Sequence, residues 1–340
     1  MKLAMISRYL PSGSKIGVGY QSHDIANGMA KRGHEVTMYS QYGHTEGAVY
    51  RTIAVPVGWR LRTFRFAWNL RRFDFSAYDF LHAHTDDYWL WNRKRKPAHL
   101  RTMSGSCRAE AIHSQRLWLK FRMNLLALSE ALAVRVADRT ICISDNTRVY
   151  FPTLKEVIPC GMDTSAFYPG NEKESAPTLL FVGTYERRKR GKLLMEIFAK
   201  EILPKIPNAQ LWMVSEDAPD APNVRRFVRI PTAELAELYR RAWVFCLPSS
   251  YEGFGVPYIE AMASGLPTVG TPNLGAREVL GNGRYGLIAE PEKLGETLRE
   301  LLTDADKRKQ WGDIGLERSR TFSWETVLDQ YEQVYREMTA

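Results

Sequence analysis

Short apolar runs alternate with helix-period segments in two successive series along this chain, which confines it to parallel sheets covered on both faces by helices. In the first series, Lys2 to Ser7 reads as a strand and Val36 to Tyr39 as the next. Between them, Ser22 to Arg32 reads as a helix with Ile25, Ala26 and Met29 on one face and Gly33 as its stop. Phe80 to His84, Leu100 to Met103 and Thr140 to Ser144 continue the series. Tyr168 to Pro177 is polar, carries Pro-Gly and Asn-Glu-Lys-Glu-Ser, and reads as a linker. The alternation restarts with Thr178 to Val182, a helix presenting Leu193, Leu194, Ile197 and Phe198, and a strand from Gln210 to Val214. Thr232 is expected to cap a further helix presenting Leu235, Leu238 and Tyr239. Two α/β domains are expected, over residues 1–170 and 171–324, and 340 residues are enough for both cores.

The chemically most specific stretch runs from Ser249 through Glu252-Gly253-Phe254-Gly255-Val256-Pro257 to Gly265. The buried strand Trp243 to Leu247 leads into it, and Pro248 with two serines ends that strand. A helix starts near Pro257, because proline loses nothing at the first helical position, and Gly265 supplies the left-handed stop. Gly253 and Gly255 let the backbone approach a ligand, and the open N–H groups at the helix start favour phosphate. Glu252 in the loop and Glu260 in the helix suit sugar hydroxyls, as acceptors of hydrogen bonds.

The spacing Glu252 to Glu260 resembles the E-x7-E motif of the GT4-type retaining glycosyltransferases. Val157-Ile158-Pro159-Cys160-Gly161-Met162-Asp163 resembles that family's V-I-P-N-G-V-D segment, and Phe181-Val182-Gly183 the opening of its second domain. Asn273 to Val279 resembles its G-G-x-x-E-V turn, and Phe322-Ser323-Trp324 its tail signature. The resemblance covers nearly the whole chain and is weakest between about residues 45 and 135. It implies a GT-B fold: two Rossmann-like, doubly wound parallel-sheet domains facing a central cleft, the first on the acceptor side and the second holding a nucleotide sugar. The last helix, about residues 325–340, would fold back on the first domain.

The same resemblance implies site residues. Glu252 would hold the donor sugar hydroxyls and Glu260 the nucleotide ribose. Gly183 to Gly191 occupies the family's G-R-x(5)-K-G segment, with Thr184 in place of its arginine and Arg190 in place of its lysine. Arg190 is therefore expected to grip the diphosphate and, with Glu252, to carry catalysis, while Arg188 or Lys189 would compensate for Thr184. Donor contacts are expected from Gly17, Gly19, Lys189, Arg190, Glu252, Gly253, Phe254, Gly255 and Glu260, with Gly17-Val18-Gly19 as a flexible loop. On the acceptor side the candidates are His84, Asp86 and Ser104. Ser104 stands where many members have a histidine, and a serine cannot hold a positive charge near the reaction. The implied reaction moves a hexose from a nucleotide diphosphate sugar, a UDP-sugar first and a GDP-sugar next, to a glycan, lipid-linked or small-molecule acceptor.

Other classes fit less well. Gly17-Val18-Gly19 lacks the third glycine and the ribose-binding acid of a dinucleotide site. His82-Ala83-His84-Thr85-Asp86-Asp87 resembles the start of a di-metal hydrolase site, but Asp87 stands where a histidine is wanted and no further histidines cluster. No metal and no bound cofactor are expected. Eight residues of helix would hold Glu252 and Glu260 about 12 Å apart, beyond the roughly 5–9.5 Å of glycosidase carboxylates. A GT-B epimerase or hydrolase, or a non-catalytic sugar-nucleotide-binding protein, stays open as an alternative.

Charge is lopsided within a total of +9: residues 1–170 hold 24 Lys+Arg against 13 Asp+Glu, residues 171–340 hold 23 against 25. The excess concentrates between Arg51 and Arg122, where basic residues alternate with aromatics in Trp59-Arg60-Leu61-Arg62-Thr63-Phe64-Arg65-Phe66-Ala67-Trp68. Residues 51–122 are either a solvated basic face or a surface for an anionic membrane or acidic acceptor. No nucleic-acid-binding module accompanies the charge. The apolar run Leu125 to Ala137 is interrupted by Ser129, Glu130 and Arg135 and is too short to span a bilayer. With no leader ahead of Leu3 and four cysteines lacking metal or redox spacing, a cytoplasmic location is expected, peripheral to the inner face of the membrane where the basic surface makes contact.

Overall fold

A computed structural model describes residues 1–12, 17–59, 61–92, 97–114 and 116–339; Arg60 of the basic aromatic stretch lies outside them. The chain divides into two compact units, one formed by Met1–Cys160 with Trp324–Ala340 and the other by Gly161–Ser323. The division falls about ten residues before the expected boundary at residue 170. Residues 161–170 are tied to the second unit, where Phe167 packs edge-on against Tyr239 at 5.6 Å and Ala166 O accepts from Arg240 Nη1.

The first unit holds strands β1 (Lys2–Ile6), β2 (Glu35–Ser40), β3 (Arg51–Ala54), β4 (Phe80–Ala83), β5 (Ala98–Met103) and β6 (Arg139–Cys142). All pair in parallel in the order β3-β2-β1-β4-β5-β6. Its helices are α1 (Gly17–Lys31), α2 (Arg62–Asn69), α3 (Cys107–His113), α4 (Leu117–Val136) and α5 (Asp145–Tyr150). In the second unit, β7 (Thr178–Val182), β8 (Gln210–Val214), β9 (Val224–Phe227), β10 (Val244–Leu247), β11 (Thr268–Gly270) and β12 (Leu287–Ile288) form a parallel sheet ordered β12-β11-β10-β7-β8-β9. Around it lie α6 (Gly191–Ile197), α7 (Thr232–Arg241), α8 (Val256–Ala263), α9 (Leu274–Val279), α10 (Leu294–Thr303) and α11 (Ala305–Ser319).

The last helix, α12 (Trp324–Thr339), belongs to the first unit. Val327, Leu328, Tyr331 and Tyr335 join Leu3, Met5, Ile25 and Met29 in its core, and Arg32 and His34 bind Glu332 at 3.2 and 2.9 Å. Gly28 makes the α1–α12 crossing close, since a Cβ there would overlap Leu328 Cδ1. Tyr335 Oη lies 2.7 Å from His82 Nδ1, and His82 Nε2 lies 2.8 Å from Thr102 Oγ1, so this central histidine is satisfied within the core. Burial first, then neighbouring His84 and His99, hold its pKa far below the ordinary range.

A second buried polar group is ionic: Asp87, fully enclosed, pairs with Arg101 and sits 3.0 Å from His99 Nε2. Removing one partner of such a pair strands a charge in the core. Asp87→Leu is expected to destabilise the first unit by about 3–5 kcal/mol, read as a lower midpoint in urea.

Candidate active site

Where β10 ends, its successor loop is held by hydrogen bonds rather than by regular structure. Ser249 O accepts from Thr271 Oγ1 at 2.8 Å and Asn273 Nδ2 at 2.9 Å, and Tyr258 Oη donates to Leu247 O at 2.9 Å. Gly255 (φ +108°) turns the chain into α8, whose start carries no side-chain cap, so the first amides of that helix are not covered by a side chain. α9 presses against the other side of the loop. A Cβ at Gly275 would lie 2.7 Å from Glu252 Cβ, Glu252 O and Phe254 O, so only glycine permits this approach.

Glu252 is 4% exposed and densely bonded. Ser249 Oγ donates to Oε1 at 2.6 Å, Lys189 Nζ lies 2.8 Å from Oε1, and Arg188 Nη1 lies 3.0 Å from Oε2. Arg188 also donates to Tyr251 O at 3.0 Å and accepts from Ser250 N–H at 2.8 Å, which ties the β7–α6 loop to the Glu252 loop. Two left-handed residues, Arg187 (φ +66°) and Arg190 (φ +57°), make the turn that brings adjacent cations onto one carboxylate. Burial by itself raises the pKa of Glu252, but Lys189, then Arg188 and Ser249, outweigh it and hold the carboxyl below its ordinary value. Glu252 is therefore ionised.

Glu260, one helical turn into α8, accepts from Tyr239 Oη at 3.0 Å. Burial pushes its carboxyl up to about 7, against the opposing pulls of Tyr239 and Lys189. Their surroundings thus shift the two glutamates in opposite directions. Arg190 is half-buried, and its side chain makes no hydrogen bond or ion pair among the described residues. Thr184 stays local, donating to Glu186 O at 2.9 Å. The cation on Glu252 is thus Lys189 with Arg188 rather than Arg190, because the left-handed turn at Arg190 separates it from its two neighbours.

In the first unit, Gly17 and Gly19 lie in the first turn of α1 rather than in a flexible loop, and the helix begins five residues before the expected Ser22. Gly19 is needed for packing, since a Cβ would sit 3.2 Å from the Tyr9 carbonyl carbon, whereas Gly17 faces open space. His84 stacks 4.1 Å from His82, and its Nε2 has no hydrogen-bond partner among the described residues. Burial, then Arg101, hold its imidazole down to about 3, so it is neutral. Asp86 adopts φ +52° and pairs with Arg8 Nε at 3.0 Å. Burial pushes that carboxyl up to about 6 while Arg8 and Arg101 pull it back. Ser104 is half-buried just after β5. Arg8 escaped the sequence reading because a lone arginine after a strand carries no pattern; only the fold brings it to Asp86. Among the described residues no group of three or more His, Cys, Asp or Glu is arranged to hold a metal.

Family models decide what this arrangement belongs to. The model for glycosyl transferases group 1 matches residues 164–318, and that for glycosyltransferase family 4 matches residues 16–166. The chain is a family 4 glycosyltransferase. It is a retaining enzyme that uses a nucleotide sugar. Among curated relatives, an alpha-maltose-1-phosphate synthase of Mycolicibacterium smegmatis is 28% identical over 62% of this chain and 66% of its own. A D-inositol 3-phosphate glycosyltransferase of Thermobifida fusca is 25% identical over 77% and 70%. Among solved structures, the sucrose-phosphate synthase of Thermosynechococcus elongatus superposes with TM-score 0.81 at 22% identity, over 99% of this glycosyltransferase and 98% of its own chain. The Anabaena protein HepE, crystallised with UDP-glucose, gives 0.79 at 16% identity over 99% and 100%. These likenesses establish the GT-B fold of the glycosyltransferase.

Proposed function

We propose that this glycosyltransferase moves a hexose from a UDP-sugar, with a GDP-sugar as the next choice, to a glycan, lipid-linked or small-molecule acceptor, without a metal ion. The observation that carries the reading is the ionised Glu252, enclosed by Lys189 and Arg188 in a glycine loop beside the uncapped start of α8. A carboxylate there accepts hydrogen bonds from donor-sugar hydroxyls, and the cations with the helix amides stabilise charge on the departing diphosphate. Arg190 and Lys189 are the proposed diphosphate contacts, Gly253, Phe254 and Gly255 the loop around it, and Glu260 the ribose acceptor. In a front-face reaction the leaving phosphate helps deprotonate the attacking hydroxyl, so the protein supplies no nucleophile. His84, Asp86 and Ser104 are the proposed acceptor side, and Gly19 serves by letting the start of α1 approach Tyr9. A cytoplasmic setting belongs to this reading.

The test is a metal-free thermal-shift panel of UDP, GDP, dTDP, ADP and NAD, followed by anomeric analysis of any product. Stabilisation by one nucleoside diphosphate, about 2.7 kcal/mol at 100 times its Kd, and a product retaining the donor configuration are expected. Silence from every diphosphate, or a response to NAD alone, overturns the proposal.

Glu260 gives a pH signature. With its pKa raised to about 7, the neutral carboxyl dominates below that pH; protonation removes its charge and turns one of its two acceptor oxygens into a donor, so it is the weaker acceptor for two ribose hydroxyls. Donor affinity is expected to fall as pH drops through 7, by up to about tenfold per unit. Titrating donor Kd from pH 5.5 to 8.5 checks this, and Glu260→Gln flattens the profile while weakening binding throughout.

A further inference from the structure

Helix α4 of the first unit carries its apolar face on the outside. Leu117, Trp118, Phe121, Leu125, Leu128 and Leu132 are 43–83% exposed. At the helical rotation per residue these six fall within one sector about 100° wide, a continuous stripe rather than scattered exposure. Ser129 and Ala133, outside that sector, are buried, Val136 is covered only in the last turn, and Glu130 on the opposite side accepts the Cys107 backbone N–H at 2.9 Å. The stripe is not core turned outward by chance, because the helix already has a packed face elsewhere.

Charge decides what covers it. Lys120 and Arg122 flank the stripe on opposite sides, and Arg116 and Arg135 stand at its two ends. None of the four forms an ion pair among the described residues. The only carboxylate on α4 is Glu130, which is directed inward to Cys107. A second copy of this chain would bring the same cations against these four, whereas an anionic lipid surface accepts both parts: apolar side chains enter the headgroup boundary and lysine and arginine meet phosphate. No helix among the described residues is long and apolar enough to cross a membrane, so α4 would lie in the interface plane.

We infer that α4 is an interfacial anchor by which this unit docks on an anionic bilayer. The anchor is narrower than the basic surface over residues 51–122 and extends beyond it, since its apolar contacts reach Leu132. It deepens the proposed function by making a membrane-borne acceptor accessible, and it rests on α4 alone.

Co-sedimentation of the full chain with phosphatidylcholine vesicles, with and without phosphatidylglycerol, tests it. The wild-type chain is expected to bind only the anionic vesicles and to be released by salt. Phe121→Ser/Leu128→Ser and Lys120→Glu/Arg122→Glu are each expected to weaken binding about tenfold or more. These positions are exposed, so thermal unfolding and the response to nucleoside diphosphate should match wild type, which separates failure of the anchor from failure of the donor assignment. Equal binding to neutral vesicles, indifference to salt, or full binding by both variants overturns the inference. So does a lipid-free dimer that Phe121→Ser/Leu128→Ser disperses, since the stripe would then be an interface between copies.

Discussion

Glu252→Gln is expected to lower turnover about 100- to 1000-fold while leaving the fold intact. Glutamine is isosteric and keeps an oxygen for Ser249 Oγ, so the loop that Thr271 and Asn273 hold in place need not move. What disappears is the negative charge. The native carboxylate is held ionised by Lys189 and Arg188 despite being almost fully enclosed, and the amide that replaces it turns a donor toward hydroxyls that need an acceptor. Lys189 is affected as well. Burial lowers its pKa and Glu252 is the main opposing influence, so the variant's lysine loses its proton at lower pH than the native one. The measurement is kcat at saturating donor together with its pH profile. A loss below about threefold, against a range of 100-fold or more for removing such a group, removes Glu252 from the reaction.

Gly275→Ala is expected to raise the donor KM about tenfold or more and to cost roughly 1–3 kcal/mol of stability. Two of the three atoms its Cβ would meet at 2.7 Å are backbone carbonyl oxygens, of Glu252 and Phe254, and these cannot swing aside as a side chain end would. The loop has to shift bodily, and displacement of a positioned group by about 1 Å is enough for a large loss. Gly17→Ala is the matching control. Gly17 lies in α1 with nothing within 4 Å of its Cβ position, so alanine there fits the helix and the melting temperature should not fall. If Gly275→Ala left KM and melting temperature at wild-type values, the close contact of α9 with the Glu252 loop would have no part in holding the donor site.

Much of this architecture was legible because its signals are local. Strands β7 and β8 fall at the residues their apolar runs indicate, and β1, β2, β4, β5, β6 and β10 within two residues, since all but the edge strand β6 are largely buried runs in a parallel sheet. α8 starts at Val256 with Pro257 in its first turn and stops at Ala263, two residues before Gly265, whose φ is +71°. Strands β3, β9, β11 and β12 were not legible. They are two to four residues long, and β3, β9 and β12 at the sheet edges lack the full burial that would write an apolar run. The start of α1 was misread because glycine pairs usually mark a turn, whereas here Gly19 serves close packing on Tyr9.

By itself the sequence determined two α/β units, the glycine loop with its paired glutamates, and the concentration of positive charge in the first half, because each of these depends on residues near one another in the chain. Tertiary structure alone decided which cation meets Glu252. Left-handed turns at Arg187 and Arg190 select Lys189 and Arg188 from four successive basic residues, and no spacing rule encodes that rotation. It also decided the opposite pKa directions of Glu252 and Glu260, since burial and charged partners come from loops far apart in sequence. The outward face of α4 is the third such case: Leu125 to Ala137 reads equally as a core helix until its neighbours show which side is covered.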